Sequence, residues 1–126
     1  MDGSDMPSPP VGYKPRKCAE CRKFPKFGIE DIGPIWRCEC GAFTGCTPTL
    51  ECKGKPALPT THALRAESFA LFRDLIEHLL KNTEDPPWKV KDRAYRMAGA
   101  IVGKRVAFGE LTAENAQKLI TAWSVP

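Results

Sequence analysis

Histidine is scarce in this chain of 126 residues: His62 and His78 are the two, and both lie outside the stretch that holds most of the cysteines. The shortage argues against a catalytic zinc centre, which keeps an open position for water and usually takes histidine or carboxylate among three protein ligands. Also missing are a glycine-rich phosphate loop, a nucleophile motif and a paired histidine and carboxylate cluster. The His-x-Glu with Pro-Cys-x-x-Cys signature of the zinc deaminases is absent too. An enzyme, or a small-molecule substrate, is therefore not expected. No apolar run is long enough to cross a bilayer. The opening "MDGSDMPSPP" is acidic and proline-rich, where a secretory signal would show a basic start and an apolar stretch. The expectation is a soluble protein of a reducing cytoplasm with no membrane partner, a setting in which clustered cysteines bind metal more often than they pair as disulfides.

What the chain does have is cysteine concentrated in one place. Five of its six cysteines lie between Cys18 and Cys46. Cys18-Ala-Glu-Cys21 has the spacing of a zinc knuckle, a tight turn that delivers two sulfurs while its amides hydrogen-bond the thiolates. The sixteen residues before Cys38 suit a hairpin that returns the chain to the metal. Cys38 and Cys40 then complete four ligands for one Zn2+, with Gly41 letting the backbone turn beneath the second. The misfit is Cys38-Glu39-Cys40, one residue shorter than a knuckle. In an extended strand these two side chains share a face and reach one ion without knuckle geometry. Cys46 is the alternative fourth ligand, because Gly41 and Gly45 let "CGAFTGC" curl back. His62 is a further alternative to Cys38. His78 reads as a histidine at a helix C-terminus, and Cys52 as a free or buried thiol.

The pattern along the chain predicts an α+β fold. Residues 1–15, rich in proline and glycine, read as a flexible arm. Residues 16–55 read as a small zinc-ribbon-like module of short strands, packed on or linked to a three-helix region over 56–126. The first helix is expected to be capped by Thr60 or Thr61, to carry Phe69, Phe72, Ile76, Leu79 and Leu80 on one face, and to end at Asn82. Pro86 and Pro87 open the second, which buries Val90, Ala94, Met97, Ala98, Ile101 and Val102 and stops at Gly103. A turn or short strand through "KRVAFGEL" leads to Thr112, the cap of a third helix with Ala116, Leu119, Ile120 and Trp123. There is no internal repeat.

"WRCECGAFTGCTP", "KPALPT", "ALRAE", "DRAYRMAGAIVG" and "FGELTAENAQKLI" together resemble the zinc-finger-containing domain family found mostly in phage and prophage genomes, whose function is uncharacterised. The resemblance covers roughly residues 16–123. It implies a phage source, a host bacterial cytoplasm and a zinc knuckle pair whose first half is Cys18 and Cys21. The family's Cys-x-Ala-x-x-Gly-Cys falls on Cys40, Ala42, Gly45 and Cys46. Its Ala-Tyr-Arg falls on Ala94, Tyr95 and Arg96, and its hydrophobic-Gly step on Phe108-Gly109. The chain departs from the family at Cys38-x-Cys40, where Cys-x-x-Cys is usual, at Thr47, where histidine is usual, and at Pro59-Thr60, where Gly-Thr is usual. It also lacks the Ala-His of the family's first long helix.

Net charge is +4, and the cysteine segment holds most of the basic excess, with nine Lys and Arg against five acids over residues 13–55. Four zinc-bound thiolates would offset about half of the chain's total, because ligating cysteines are deprotonated. Two functional readings remain. Lys14, Arg16, Lys17, Arg22, Lys23, Lys26 and Arg37 interleave with Phe24, Phe27 and Trp36, the combination of phosphate contacts and stacking faces that nucleic-acid single strands need. Alternatively the chain is a protein-interaction factor that binds and inhibits or diverts a host enzyme or defence complex, with Trp88, Tyr95 and Trp123 as anchors.

Overall fold

The computed structural model describes residues 7–124, and the chain divides into two compact units between Pro59 and Thr60. The fold is α+β, with a three-stranded antiparallel sheet in the first unit and three α-helices following it among the described residues. The division falls after residues 56–58, which sequence had assigned to the helical region. Those residues belong to the first unit because Ala57 pairs with Phe43 through both backbone hydrogen bonds, at 2.9 and 3.0 Å.

In the first unit, β1 (Lys26–Glu30) and β2 (Gly33–Arg37) form a hairpin whose register runs from Lys26 opposite Arg37 to Glu30 opposite Gly33. Asp31 and Ile32 make the two-residue turn. β3 (Phe43–Thr44) adds to β2, with Trp36 opposite Thr44. Trp36 is the hub of this small core. Phe27 meets it edge-on at 5.5 Å between ring centroids and Tyr13 tilts onto it at 5.7 Å, while its indole N–H donates to the Leu50 carbonyl at 2.9 Å. Tyr13, near the end of the arm expected over 1–15, has partners in this unit. Its phenolic oxygen accepts from the Cys52 amide at 2.8 Å, so the chain is tied to the sheet from that residue; positions 1–6 lie outside the described residues.

In the second unit, α1 (Pro59–Lys81) starts with proline in its first turn, where the missing amide would have had no helical partner anyway. Thr60 and Thr61 are therefore inside the helix and do not cap it. The buried positions are Thr61, Arg65, Ser68 and Phe72, at the 4, 3, 4 spacing of one helical face. Phe69 and Leu80, expected in the core, are substantially exposed. Asn82 ends the helix as anticipated, its side-chain amide donating to the His78 carbonyl at 2.7 Å.

Pro86 and Pro87 open α2 (Pro87–Val102), and Gly103 closes it at φ 89° with its amide on Gly99. Val90, Ala94 and Ala98 are buried, whereas Met97 points outward. A 3-10 turn at Phe108–Glu110 takes the place of the expected turn or strand. α3 (Ala113–Trp123) is capped by Thr112, whose hydroxyl accepts from the Asn115 amide at 3.1 Å, and buries Ala116, Leu119 and Ile120. The aromatic core centres on Phe72, 1% exposed, with Tyr95 at 4.7 Å, Phe108 at 4.8 Å and Trp123 at 6.0 Å. No helix among the described residues is long and apolar enough to cross a membrane.

Candidate metal centre

Cys18, Cys21, Cys38 and Cys40 come together with their sulfurs all within 4.8 Å of one another, an arrangement that can hold a metal ion. Two turns deliver them. In the first, the Cys18 amide donates to the Lys23 carbonyl at 2.8 Å and the Arg22 amide donates back to the Cys18 carbonyl at 3.0 Å. Arg22 closes this turn in a left-handed conformation, φ 64°. In the second, the Cys38 amide donates to the Ala42 carbonyl at 2.8 Å and the Gly41 amide donates to the Cys38 carbonyl at 2.9 Å, with Gly41 at φ 94°. Each turn thus runs from a leading cysteine to a second cysteine placed immediately before the positive-φ residue. The second is the first with one residue removed.

That construction resolves the short spacing of Cys38-Glu39-Cys40. β2 ends at Arg37, so the two cysteines are not in a strand and do not project from a common sheet face. They sit on a β-turn, a geometry that glycine permits at position 41 and that brings both sulfurs to one side. The turn is clamped from outside by Arg37, whose guanidinium donates to the Gly41 carbonyl at 3.0 Å.

The first turn is also tied to residues 56–58 by two hydrogen bonds. Ala19 donates its amide to the Pro56 carbonyl at 2.8 Å, and the Glu20 carboxylate accepts from the Leu58 amide at 3.0 Å. Ala42, fully buried, packs with Cys18 and Cys38, and Leu58 covers them. Glu20 and Leu58 have no expected role in the sequence, and Ala42 has one only through the resemblance to the family's Cys-x-Ala-x-x-Gly-Cys. A carboxylate and a leucine beside cysteines carry no signal until the chain's return past Pro56 is known.

The electrostatics of the four thiols are uneven. Burial pushes Cys18 upward, with the Cys21 and Glu20 amides opposing it. Cys38 is pushed up to about 12, chiefly by burial and then by its hydrogen bond with Cys21. Cys21 is drawn down to about 7, first by that same bond and then by the Lys23 amide. A single proton held between Cys21 and Cys38 accounts for the opposed directions, the less buried sulfur ionising first.

The donor set fits a tetrahedral soft metal. The sulfur separations are 3.6 Å for Cys18 and Cys40 and 3.0 Å for Cys21 and Cys38. A tetrahedron with metal–sulfur bonds of ~2.3 Å has an edge of about 3.8 Å, so the shorter pair needs to open by less than an ångström.

Cys46 is not brought to this cluster. It stands opposite Cys52 in an isolated antiparallel bridge, Cys46 partly and Cys52 almost wholly buried. His62 and His78 are likewise outside the group of four. Comparison with family models, with curated proteins and with solved structures finds no match to this chain.

The other expected site residues divide by surroundings. Lys14, Arg16, Lys17, Arg22, Lys23 and Lys26 are exposed. Phe24 is 56% exposed, and the Lys17 ammonium lies 5.5 Å from its ring centre. Lys23 forms an exposed ion pair with Glu39 at 3.4 Å. Arg37, expected as a phosphate contact, is exposed and already has partners within the module. It is committed to a two-pronged pair with Glu30, both bonds 2.8 Å, and to the ring of Phe43. Phe27 and Trp36 face each other within the sheet core, which leaves Phe24 as the open ring of the three. In the helical unit Trp88 is 71% exposed. Tyr95 and Trp123, expected as interface anchors, instead pack on Phe72, although Tyr95 keeps an outer edge beside Asp92, Arg96 and Arg105.

Proposed function

We propose that the first unit is a structural zinc module that binds single-stranded nucleic acid, and that the chain is a non-enzymatic accessory protein of phage origin. The convergence of the four cysteine sulfurs from two matched turns supports the zinc reading most directly. The thinness of the core supports it too. Ile35 and Trp36 are the large apolar side chains buried there among the described residues. A unit of this size ordinarily needs a metal or disulfides to fold alone, and structural zinc supplies ~10–16 kcal/mol. All four ligands are protein thiolates, which leaves no open position for water and accords with a structural role.

The nucleic-acid reading rests on Phe24, an exposed ring flanked by Lys17 and close in sequence to Arg22, Lys23 and Lys26. An aromatic face contributes ~1–3 kcal/mol per stacked base, and surrounding cations contribute a salt-dependent attraction to phosphate. The test is a mobility shift with single-stranded and duplex oligonucleotides across a salt series. Binding that weakens steeply with salt, and roughly tenfold with Phe24→Ala, is expected; no shift at low salt sinks the reading.

A second reading is favoured by Trp88, a largely exposed indole at the start of α2. Such a side chain suits an anchor in a partner's pocket, and a host protein is the partner class. Parallel pull-downs from nuclease-treated and untreated bacterial lysate separate the two. Stoichiometric protein that survives nuclease and is lost with Trp88→Ala supports this reading, and its absence rejects it.

A further inference from the structure

We propose that Cys46 and Cys52 are a second thiol site, a cross-strand pair that closes reversibly to a disulfide by exchange with a small-molecule disulfide of the glutathione class. The observation that carries this is the hydrogen-bond frame around the pair. The Thr47 amide donates to the Glu51 carbonyl at 2.9 Å, and the Lys53 amide donates to the Gly45 carbonyl at 3.0 Å. Those bonds flank Cys46 and Cys52 without involving either, which makes them a non-hydrogen-bonded pair of an antiparallel ladder. In such a pair the Cα atoms lie ~4.5 Å apart and the side chains project to the same face. Disulfides need Cα separations of about 4.4–6.8 Å, so the backbone already satisfies the constraint.

The neighbourhood holds the pair in place. Five residues intervene between the cysteines, and they form a tight loop: the Leu50 amide returns to the Thr47 carbonyl at 2.9 Å and the Glu51 amide donates to the Thr47 hydroxyl at 3.1 Å. Trp36 grips the loop through the Leu50 carbonyl, and Tyr13 accepts from the Cys52 amide. Neither thiol belongs to the four-sulfur cluster, and both are reduced and unpaired with it.

The exchange balances as follows. The Cys46 sulfur, the more accessible of the two, attacks one sulfur of the small disulfide, forming a mixed disulfide and expelling one thiolate. The Cys52 sulfur then attacks the Cys46 sulfur of that intermediate, forming the Cys46–Cys52 bond and expelling the second thiolate. Two electrons pass to the small disulfide, and the two thiol protons end on the two expelled thiolates. Burial and the neighbouring Cys52 raise the Cys46 thiol, so little thiolate is present near neutrality. Closure is therefore slow there and rises roughly tenfold per pH unit below that raised value.

The experiment equilibrates the full chain with oxidised and reduced glutathione, alkylates remaining thiols and digests after glutamate. Cuts after Glu39, Glu51 and Glu67 place Cys46 and Cys52 on separate fragments, 40–51 and 52–67. The expected result is a reducible link between these fragments, located at Cys46 by fragmentation. It is lost in Cys46→Ser and Cys52→Ser, each of which leaves the surviving thiol alkylated or carrying one glutathione. The link is read at the peptide level, so it is decided whether or not the four-cysteine cluster carries metal. Both thiols remaining alkylatable in the wild-type chain under oxidising ratios, or a link from either to Cys18, Cys21, Cys38, Cys40 or a second chain, overturns the proposal.

Discussion

Cys38 and Cys46 are alternatives by spacing and differ entirely in surroundings. Cys38 is buried against Cys18 and Ala42 with Cys21 at 3.0 Å, whereas Cys46 faces Cys52 across a bridge. Cys38→Ala is expected to lower bound zinc well below one ion per chain while Cys46→Ala leaves it unchanged, as read by elemental analysis of purified protein. Arg65 gives a second test at this scale. It is 7% exposed and donates from Nε to the Leu111 carbonyl at 2.8 Å, so a charged residue lies within the helical core. Arg65→Leu deprives that carbonyl of its donor and should cost about 1–3 kcal/mol in denaturant unfolding. The role of Arg65 was not legible residue by residue. Arginine on a helix is ordinarily solvated, and only the approach of Leu111, forty-six positions later, supplies the acceptor.

At the scale of elements, the paired turns show how one motif tolerates two spacings. The first turn uses Arg22 at its left-handed position and the second uses Gly41. A Cβ at Gly41 would meet no closer atom than Leu58 Cδ2 at 3.9 Å, so the obstacle to Gly41→Ala is backbone conformation rather than space. That change should cost about 1–2 kcal/mol, measured by competition for zinc with a chelator. Arg22→Gly relieves the same strain while adding unfolded-state freedom, and its net effect should stay within about 1 kcal/mol.

The start of α2 gives a pH-dependent case. Asp85 pairs with Arg93 at 2.6 Å, and that bond holds its carboxyl below the usual aspartate range. A depressed folded value means that the contribution is present above the unfolded value, near pH 4, and lost as pH falls through the folded one. Asp85→Asn should therefore be less stable than the wild type at neutral pH by a constant margin that vanishes in acid, followed by helical circular dichroism in urea. The termini of α2 were legible because proline and glycine act locally. The face of α1 was misjudged because apolar periodicity alone placed Phe69 and Leu80 inward, while the helix actually buries Thr61, Arg65 and Ser68.

For the whole molecule, the division between Pro59 and Thr60 separates a unit organised by sulfur and backbone hydrogen bonds from one organised by an aromatic core. Chelation of the metal at neutral pH is expected to abolish the near-ultraviolet signal of Trp36 and the dispersion of resonances from residues 16–55. The helical circular dichroism should persist, because Phe72, Leu119 and their neighbours do not depend on the metal. Loss of both signals together would reject that separation.

Sequence by itself determined the α+β class, the hairpin between the cysteine pairs, the second and third helices and the half-site Cys18 and Cys21. Each of these follows from local chemistry: periodicity, proline and glycine punctuation, and a two-cysteine spacing. Tertiary structure decided which remaining sulfurs complete the cluster, because that depends on a turn closing at Gly41 and on residues 56–58 returning beside both turns. It also paired Arg37 with Glu30 and turned Phe27 onto Trp36. Their partners, Glu30 and Trp36, become neighbours only when β1 and β2 pair.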